Sequence, residues 1–413
     1  MNKNKNLIIG IIIIMVLTSV ITFVISGVFF MGLNRLNPVY SVSFDPKDVS
    51  IESIRKFNQV RNILKEDYYQ ELDEDTLLEG AVAGMAYSTG DVYTVYYTKE
   101  QMQKLLEISN KSEETYVGIG VTVIMGNDGL LSIVDLFDDS PAKDAGMMSG
   151  DKIIKVDGED VTGIKDSDLI IEKIKGPENT KVTVTVIRPS EGRTIDFEII
   201  RKRVKYAINL RSEIIDGNIG YVKIVSFNDR NISSLFANEL QKLIAKGIKG
   251  LVIDVRDNPG GYYDQVCKIA DMLLPEGIIV YTEDRNNKKE IEESDAMELK
   301  MPITVLINGN SASASEVLAG ALKDHKKATL IGTKTFGKGL VQSIKVLEDG
   351  SGIKYTTARY FTPSGVCIHG IGIEPDIEVP VPSKYEGMPV SQIPKGDDVQ
   401  LQTAVEVLRG KLQ

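Results

Sequence analysis

Three observations predict an α/β protein that carries a β-rich insertion and begins with a membrane anchor. From Asn218 onward, apolar strands at 221–224, 250–255, 278–282, 303–307 and 328–332 alternate with helices at 233–246, 262–274 and 314–323. Strands that are apolar throughout and are joined by helices point to a mostly parallel sheet covered on its faces. Between Tyr116 and Arg203 the period drops to two, as in Val182-Thr183-Val184-Thr185-Val186, which is the pattern of half-buried strands. Ahead of both, Lys3 and Lys5 precede an uncharged stretch from Leu7 to Leu33, longer than the roughly 20 residues that span a bilayer.

Taken in order, residues 1–33 read as a transmembrane signal anchor. A cleaved signal peptide, the alternative, has a shorter apolar core and a small-x-small cleavage site. Here the run ends in Val28-Phe29-Phe30-Met31. The two lysines then stay inside and the body of the chain is exported, on the extracytoplasmic side of the cell membrane. Residues 34–47 read as a tether containing Pro38 and Pro46. The stretch to residue 110 is helical, with Ile54, Phe57, Val60, Ile63 and Leu64 at helical spacing, then Leu77, Leu78, Ala81 and Val82, then a short helix at 101–108. In the β-rich part, strands at 121–124, 131–134 and 182–186 flank a short helix in which Ser140 caps, Pro141 occupies the first turn and Gly146 stops. The end of the chain, 397–412, is an amphipathic helix with Val399, Leu401, Ala404, Val405 and Leu408 on its apolar face.

Composition excludes several function classes. The 413 residues are 42% hydrophobic and 26% charged, ordinary for a globular protein of two or three domains. A net charge of −10 argues against nucleic acid as a partner. Cys267 and Cys367 are too few for a disulfide scaffold. They read as two free thiols, with a single bridge as the alternative. No metal-ligand cluster, phosphate loop or dinucleotide fingerprint occurs, so no cofactor is expected; Gly118-x-Gly120 lacks the third glycine and the following helix of a Rossmann turn.

The chemistry is carried by Ser311-Ala312-Ser313-Ala314-Ser315-Glu316 and Thr335-Phe336-Gly337-Lys338-Gly339-Leu340-Val341-Gln342. A serine nucleophile needs a base, and the only histidines are His325 and His369. His325 reads as a solvated helix-end residue and His369 as a structural or surface residue. A lysine can replace histidine if burial lowers its pKa. By itself the serine-rich segment is equally a helix cap; the downstream lysine motif turns it into a candidate Ser/Lys hydrolase site. If the segment after Lys338 is extended, residues 338, 340 and 342 share one face, so Gln342 can orient the neutral amine.

Together with Asp254-Val255-Arg256-Asp257-Asn258-Pro259-Gly260-Gly261, the stretch from Ser140 to Gly158, and Gly372-Ile373-Glu374-Pro375-Asp376, these motifs resemble the carboxy-terminal processing (tail-specific) proteases, S41-type Ser/Lys peptidases with an embedded PDZ domain. The resemblance runs from about Phe57 to Asp376. It implies a crotonase/Clp-protease-like catalytic core interrupted by the PDZ domain. The domain boundaries expected are 1–33 anchor, 34–110 helical region, 111–203 PDZ domain, 204–382 α/β protease core and 383–413 helical tail. One departure is Asn310, where the family often has glycine.

In that frame Ser313 is the nucleophile, Lys338 the general base and Gln342 the third member. Backbone N–H groups of Ala314, at a helix start, and of Gly260 or Gly261 would form the oxyanion hole; the sequence leaves the choice of glycine open. Gly118, Ile119, Gly120 and Val121 resemble a loop that captures the carboxylate of a chain terminus while the peptide adds as a strand. The expected activity is cleavage of exported proteins with unstructured, apolar C-terminal tails, with the PDZ domain also gating the site, in a homodimer held by the terminal helices. Two rivals were weighed: a non-catalytic PDZ scaffold with an inactive core, opposed by the presence of all three catalytic residue types, and a crotonase-like acyl-CoA enzyme, opposed by the export anchor.

Overall fold

The computed structural model describes residues 15–22, 24, 45, 47–110, 115–126, 128–137, 139–164, 166–205, 209–386 and 388–413. Most of the expected anchor therefore lies outside the described residues, and among those described no helix is long and apolar enough to cross a membrane. Two compact units are formed, Met1–Leu78 and Glu79–Gln413.

In the first unit, Ser50 caps the helix Ile51–Asp67 by accepting from Ser53 N–H. No residue of this helix is buried, and Phe57, Val60 and Ile63 stand exposed along it. Its charged face holds Arg61 and Lys65 against Glu74.

The second unit is built on a six-stranded sheet. Ile219–Ile224, Gly250–Asp254, Ile303–Ile307, Ala328–Gly332 and Ile377–Glu378 run parallel, and Leu210–Ile215 is added antiparallel at one edge. Alternate residues face opposite layers. Leu251, Ile253, Val305 and Ile307 pack with the helices Ile232–Ala245, Tyr263–Leu273 and Ala314–Asp324. Val252, Leu306 and Ile331 pack with Leu401, Ala404 and Leu408 of the C-terminal helix Val399–Leu412. Burial on both faces is why the strands read as unbroken apolar runs. The apolar residues Leu401, Ala404 and Leu408 of Val399–Leu412 are spent on the chain's own sheet.

The strand expected at 278–282 does not join this sheet. It is Gly277–Asp284, which pairs antiparallel with Lys289–Ser294 and with Gly352–Phe361 in a second sheet. The turn between the first two, Asp284 to Lys288, is closed by Asp284 Oδ1 accepting from Asn286 and Lys288 N–H. That Asp/Asn turn signals a hairpin rather than a crossover.

The β-rich insertion is a six-stranded antiparallel sheet with Val121–Met125 as its edge strand. Its core of Ile133, Ile153, Val184 and Phe197 is closed by the helix Ser167–Ile174, which sequence reading missed. Asp166 caps that helix, and Ile170 and Ile174 are its buried contacts, one turn apart. Thr115–Gly118 pairs with Lys202–Lys205 and so brings together the chain entering and leaving the insertion.

Arg256, 1% exposed, joins three segments at the end of the parallel sheet. Its guanidinium donates to Asp254 (2.7 Å), to Asp398 (2.9 Å) and to Gln400 (2.9 Å). Tyr221 donates to the same Asp254 at 2.8 Å. Removing one partner leaves buried charge uncompensated. Arg256→Ala is expected to lose about 3–5 kcal/mol of stability and to free the C-terminal helix, read as a drop in the urea midpoint together with early amide exchange in residues 399–412.

Candidate active site

Two loops meet at the carboxyl ends of adjacent parallel strands, the usual place for a site in such a sheet. Strand Ile303–Ile307 leads through 308–313 into the helix Ala314–Asp324, and strand Gly250–Asp254 leads through 255–262 into Tyr263–Leu273. Of the serines in the first loop, Ser311 and Ser315 are 0% exposed. Ser311 Oγ donates to Val255 O at 2.7 Å and Ser315 Oγ to Asn258 O at 3.0 Å, so both tie one loop to the other. Only Ser313 reaches the cavity. It is held at φ 54°, ψ −115°, a conformation that a non-glycine residue adopts only when its surroundings impose it.

The surroundings are the carboxylate of Glu316, itself fully buried. Its Oε2 accepts from Ser313 N–H (2.9 Å) and Lys338 N–H (2.8 Å), and its Oε1 from Gly337 N–H (2.7 Å) and the Thr335 hydroxyl (2.6 Å). Burial pushes this carboxyl above the ordinary Glu value, while these donors pull the other way. Glu316 thus fixes the backbone of both Ser313 and Lys338. Sequence reading included it in a motif but gave it no role; its place at the third position after a helix-capping serine was the available signal.

Lys338 lies in the irregular segment before strand Leu340–Val346 and lines the same cavity as Ser313. Burial pushes its amine below the ordinary Lys value, aided by the Lys354 charge, against Asp168, Asp166 and Asp91. The Nζ sits 4.5 Å from the centroid of the Tyr93 ring. Gln342 also lines the cavity, and its buried Nε2 has no partner among the described residues. Lys338, Leu340 and Gln342 all line the cavity, and Val341 joins them because a β-bulge between Val341 and Gln342 shifts the pairing with Gly352–Phe361.

Gly260 packs directly on the serine. A Cβ there would fall 2.8 Å from Ala312 O, 2.9 Å from Ser313 Cβ and 3.1 Å from Ala314 N, and its φ is +102°, so only glycine fits. Its N–H is occupied by Asn258 Oδ1 at 2.9 Å. Among the described residues no such bond engages Gly261 N–H. Asn310 donates to Asp257 Oδ1 at 2.9 Å, a further tie between the two loops.

The cavity, about 620 Å³, also receives Val123, Ile124, Met125, Ser167, Asp168 and Ile171 from the insertion. The loop Gly118–Val121 is not in its wall; it precedes the edge strand that is. Carbonyls of Ile119 and Gly120 accept from Ala142 and Phe137 N–H, while their own N–H groups have no partner among the described residues. Lys175 lies beside this loop, 5.2 Å over the Tyr116 ring, its pKa lowered by burial. In the cavity wall, Lys354 pairs with Asp166 and, at 3.0 Å, with Asp168; Tyr97 donates to Asp166 at 2.8 Å.

Neither histidine joins the cavity wall. His369 is exposed. His325 is not simply solvated as expected: a ring nitrogen is 2.7 Å from Ile278 O, and the ring packs against Gly277. Both cysteines are free, and burial pushes the Cys267 thiol up to about 12.

Residues 218–379 match the family model described as peptidase family S41, residues 33–101 that of the activating protease CtpB N-terminal domain, and residues 136–188 that of the PDZ domain. A carboxy-terminal-processing protease of Bartonella bacilliformis is 35% identical, with 95% of this chain and 96% of that protein covered. A probable CtpA-like serine protease of Staphylococcus aureus is 34% identical over 93% of this chain and 74% of that one. Among solved structures, the photosystem II D1 C-terminal processing protease aligns with a TM-score of 0.65 at 28% identity, covering 81% of this chain and 91% of that one.

Glutamine matches the outline of the Glu316 carboxylate but replaces one of its two accepting oxygens with a donor. In Glu316→Gln the amide nitrogen would face donors in place of an acceptor. The variant is expected to lose about 3 kcal/mol of stability, measured by urea unfolding, and more than Glu316→Ala if a repulsive contact replaces the lost bonds.

Proposed function

The chain belongs to the carboxy-terminal-processing proteases of peptidase family S41, serine peptidases, and we propose that Ser313, Lys338 and Gln342 perform the hydrolysis. The observation that carries this reading is that all three line one cavity while Ser311 and Ser315 are sealed in the loop packing. Ser313 Oγ attacks the scissile carbonyl carbon as its proton passes to the neutral Lys338 amine. The tetrahedral oxyanion is met by the N–H groups of Ala314 and Gly261, the glycine whose amide is not already used. Collapse breaks the C–N bond, and Lys338 returns the proton to the leaving amine. Water, deprotonated by the same lysine, then hydrolyses the acyl-enzyme. Gln342 orients the neutral amine by accepting from it with its amide oxygen, which leaves the amine lone pair free for the serine proton.

The PDZ domain delivers the substrate. An apolar C-terminal tail adds as a strand beside Val121–Met125, under the helix Ser167–Ile174, and this groove opens into the catalytic cavity. Its terminal carboxylate is met by the N–H groups of Ile119 and Gly120 within the loop Gly118–Val121, and by the Lys175 amine. The pairing of Lys354 with Asp166 and Asp168 supports a gating role for the domain. Burial opposes the charge on Lys354, yet the two carboxylates hold its pKa above the ordinary value; this charged pair ties strand Gly352–Phe361 to the start of the helix Ser167–Ile174, and movement of the PDZ domain would break it. The uncharged stretch 7–33 anchors the protein, with the catalytic part outside the cytoplasm. Exposed Phe57, Val60 and Ile63 on the helix Ile51–Asp67 provide an apolar face for a homodimer.

Turnover of a disordered protein separates the roles. Ser313→Ala is expected to fold normally and lose activity by at least about 10³-fold, whereas Ser311→Ala and Ser315→Ala lose stability first and keep measurable turnover. Lys338→Arg is expected to be as inactive as Lys338→Ala, because a guanidinium stays protonated. The wild-type rate rises with pH and levels off above the Lys338 pKa, which lies below that of a free lysine. Near-normal turnover by Lys338→Arg would exclude the Ser/Lys mechanism.

A second measurement concerns the tail. Amidating a substrate peptide's C-terminus removes the charge that faces Lys175 and the loop amides, and is expected to weaken binding about tenfold or more. Equal affinity of the acid and amide forms, measured by calorimetry on Ser313→Ala, would exclude carboxylate capture.

A further inference from the structure

Lys338 Nζ makes no hydrogen bond with Ser313 or Gln342 among the described residues. Lys338 Nζ lies over the Tyr93 ring, and the amide nitrogen of Gln342 waits unpartnered in the same cavity. Tyr93 itself is firmly placed. Asp91 Oδ1 accepts from Tyr93 N–H at 3.0 Å, and Asp91 Oδ2 accepts from Thr94 at 2.7 Å and from Thr356 at 2.5 Å. Although burial works against the Asp91 charge, these bonds hold it below its ordinary value, so the turn is locked while Asp91 is ionised. An aromatic face attracts an ammonium and offers nothing comparable to a neutral amine.

We propose that Tyr93 is a positioning residue that holds Lys338 charged and withdrawn between turnovers, and releases it to Ser313 and Gln342 when the lysine loses its proton. The proposal rests on Lys338 being the base. The two poses differ in charge: over Tyr93 the lysine is an ammonium, whereas beside Ser313 it must be a free amine. Tyr93 therefore competes with engagement, and its contribution is visible only in the free enzyme. The other charges facing Lys338 are Lys354 from strand Gly352–Phe361, Asp166 and Asp168 from the start of the PDZ helix, and Asp91 below Tyr93; Glu316 faces Tyr93, and His369 faces Asp91. None of these changes when only the ring at 93 is altered. The Tyr93 phenol stays protonated across the working range, since burial raises its pKa.

The test replaces the ring and keeps its outline. Phenylalanine at this position retains the negative face, and pentafluorophenylalanine, introduced by nonsense suppression, reverses it. With the full chain and a disordered substrate, the acid limb of kcat/KM is expected to stay in place for Tyr93→Phe. For the fluorinated ring it should move down by about one pH unit, with kcat on the alkaline plateau unchanged, because the engaged lysine has already left the ring. At pH values below the limb this is a gain in kcat/KM of up to about tenfold. An unmoved limb in a fluorinated variant that unfolds like wild type would overturn the role of Tyr93, as would an equal shift for both rings. Lys338→Ala separates the two readings: if it turns over substrate, the base assignment fails and Tyr93 falls with it; if it is inactive while the limb stays unmoved, only the role of Tyr93 fails.

Discussion

The Glu316 carboxylate is the contact on which the site depends. It gathers the N–H of Ser313 and the backbone of the segment carrying Lys338 onto one pair of oxygens, with Thr335 and Gly337 completing the shell. Ser313 and Lys338 are 25 residues apart in sequence and belong to different elements. Without a shared acceptor the strained φ of Ser313 would relax, because nothing in the local sequence favours it. A buried, hydrogen-bonded carboxylate is an expensive device. It is retained where catalysis needs backbone geometry held more tightly than side-chain packing alone can hold it.

The layers of the protein support that contact from two directions. Ser311 and Ser315 carry the serine loop to Val255 and Asn258 of the neighbouring loop. Arg256, in that same neighbouring loop, is clamped by Asp254 and by Asp398 of the C-terminal segment. The C-terminal helix, remote in sequence, therefore stabilises the loop that presents Gly260 and Gly261. Here a buried ion network positions backbone, and the apolar layers on each side of the sheet supply most of the stabilisation.

The electrostatics of the cavity come from two lysines in opposite situations. Lys354 has carboxylate partners from the PDZ domain and stays charged. Lys338 is pushed toward neutrality by burial and by the Lys354 charge, against nearby carboxylates and the Tyr93 face that favours the ammonium. The same residue type thus serves structure at one position and fits base chemistry at the other. The difference follows from which neighbours the tertiary structure supplies.

By itself the sequence determined most of the element types, though not the helix Ser167–Ile174, and the residue types of the candidate site. The unbroken apolar strands, the period-two stretch and the serine, lysine and glutamine motifs are local patterns, and local patterns report local conformation and residue chemistry. The tertiary structure decided what depends on distant partners. It moved Gly277–Asp284 into a second sheet, because pairing with Gly352–Phe361 is invisible to a window of neighbours. It spent the apolar face of Val399–Leu412 on the chain's own core. It engaged Gly260 N–H with Asn258, and so left Gly261 as the glycine with an unused amide. It placed Tyr93, from a different element, under Lys338. A residue's type fixes what it can do; burial and the charges brought to it by chain crossings decide which of those things it does.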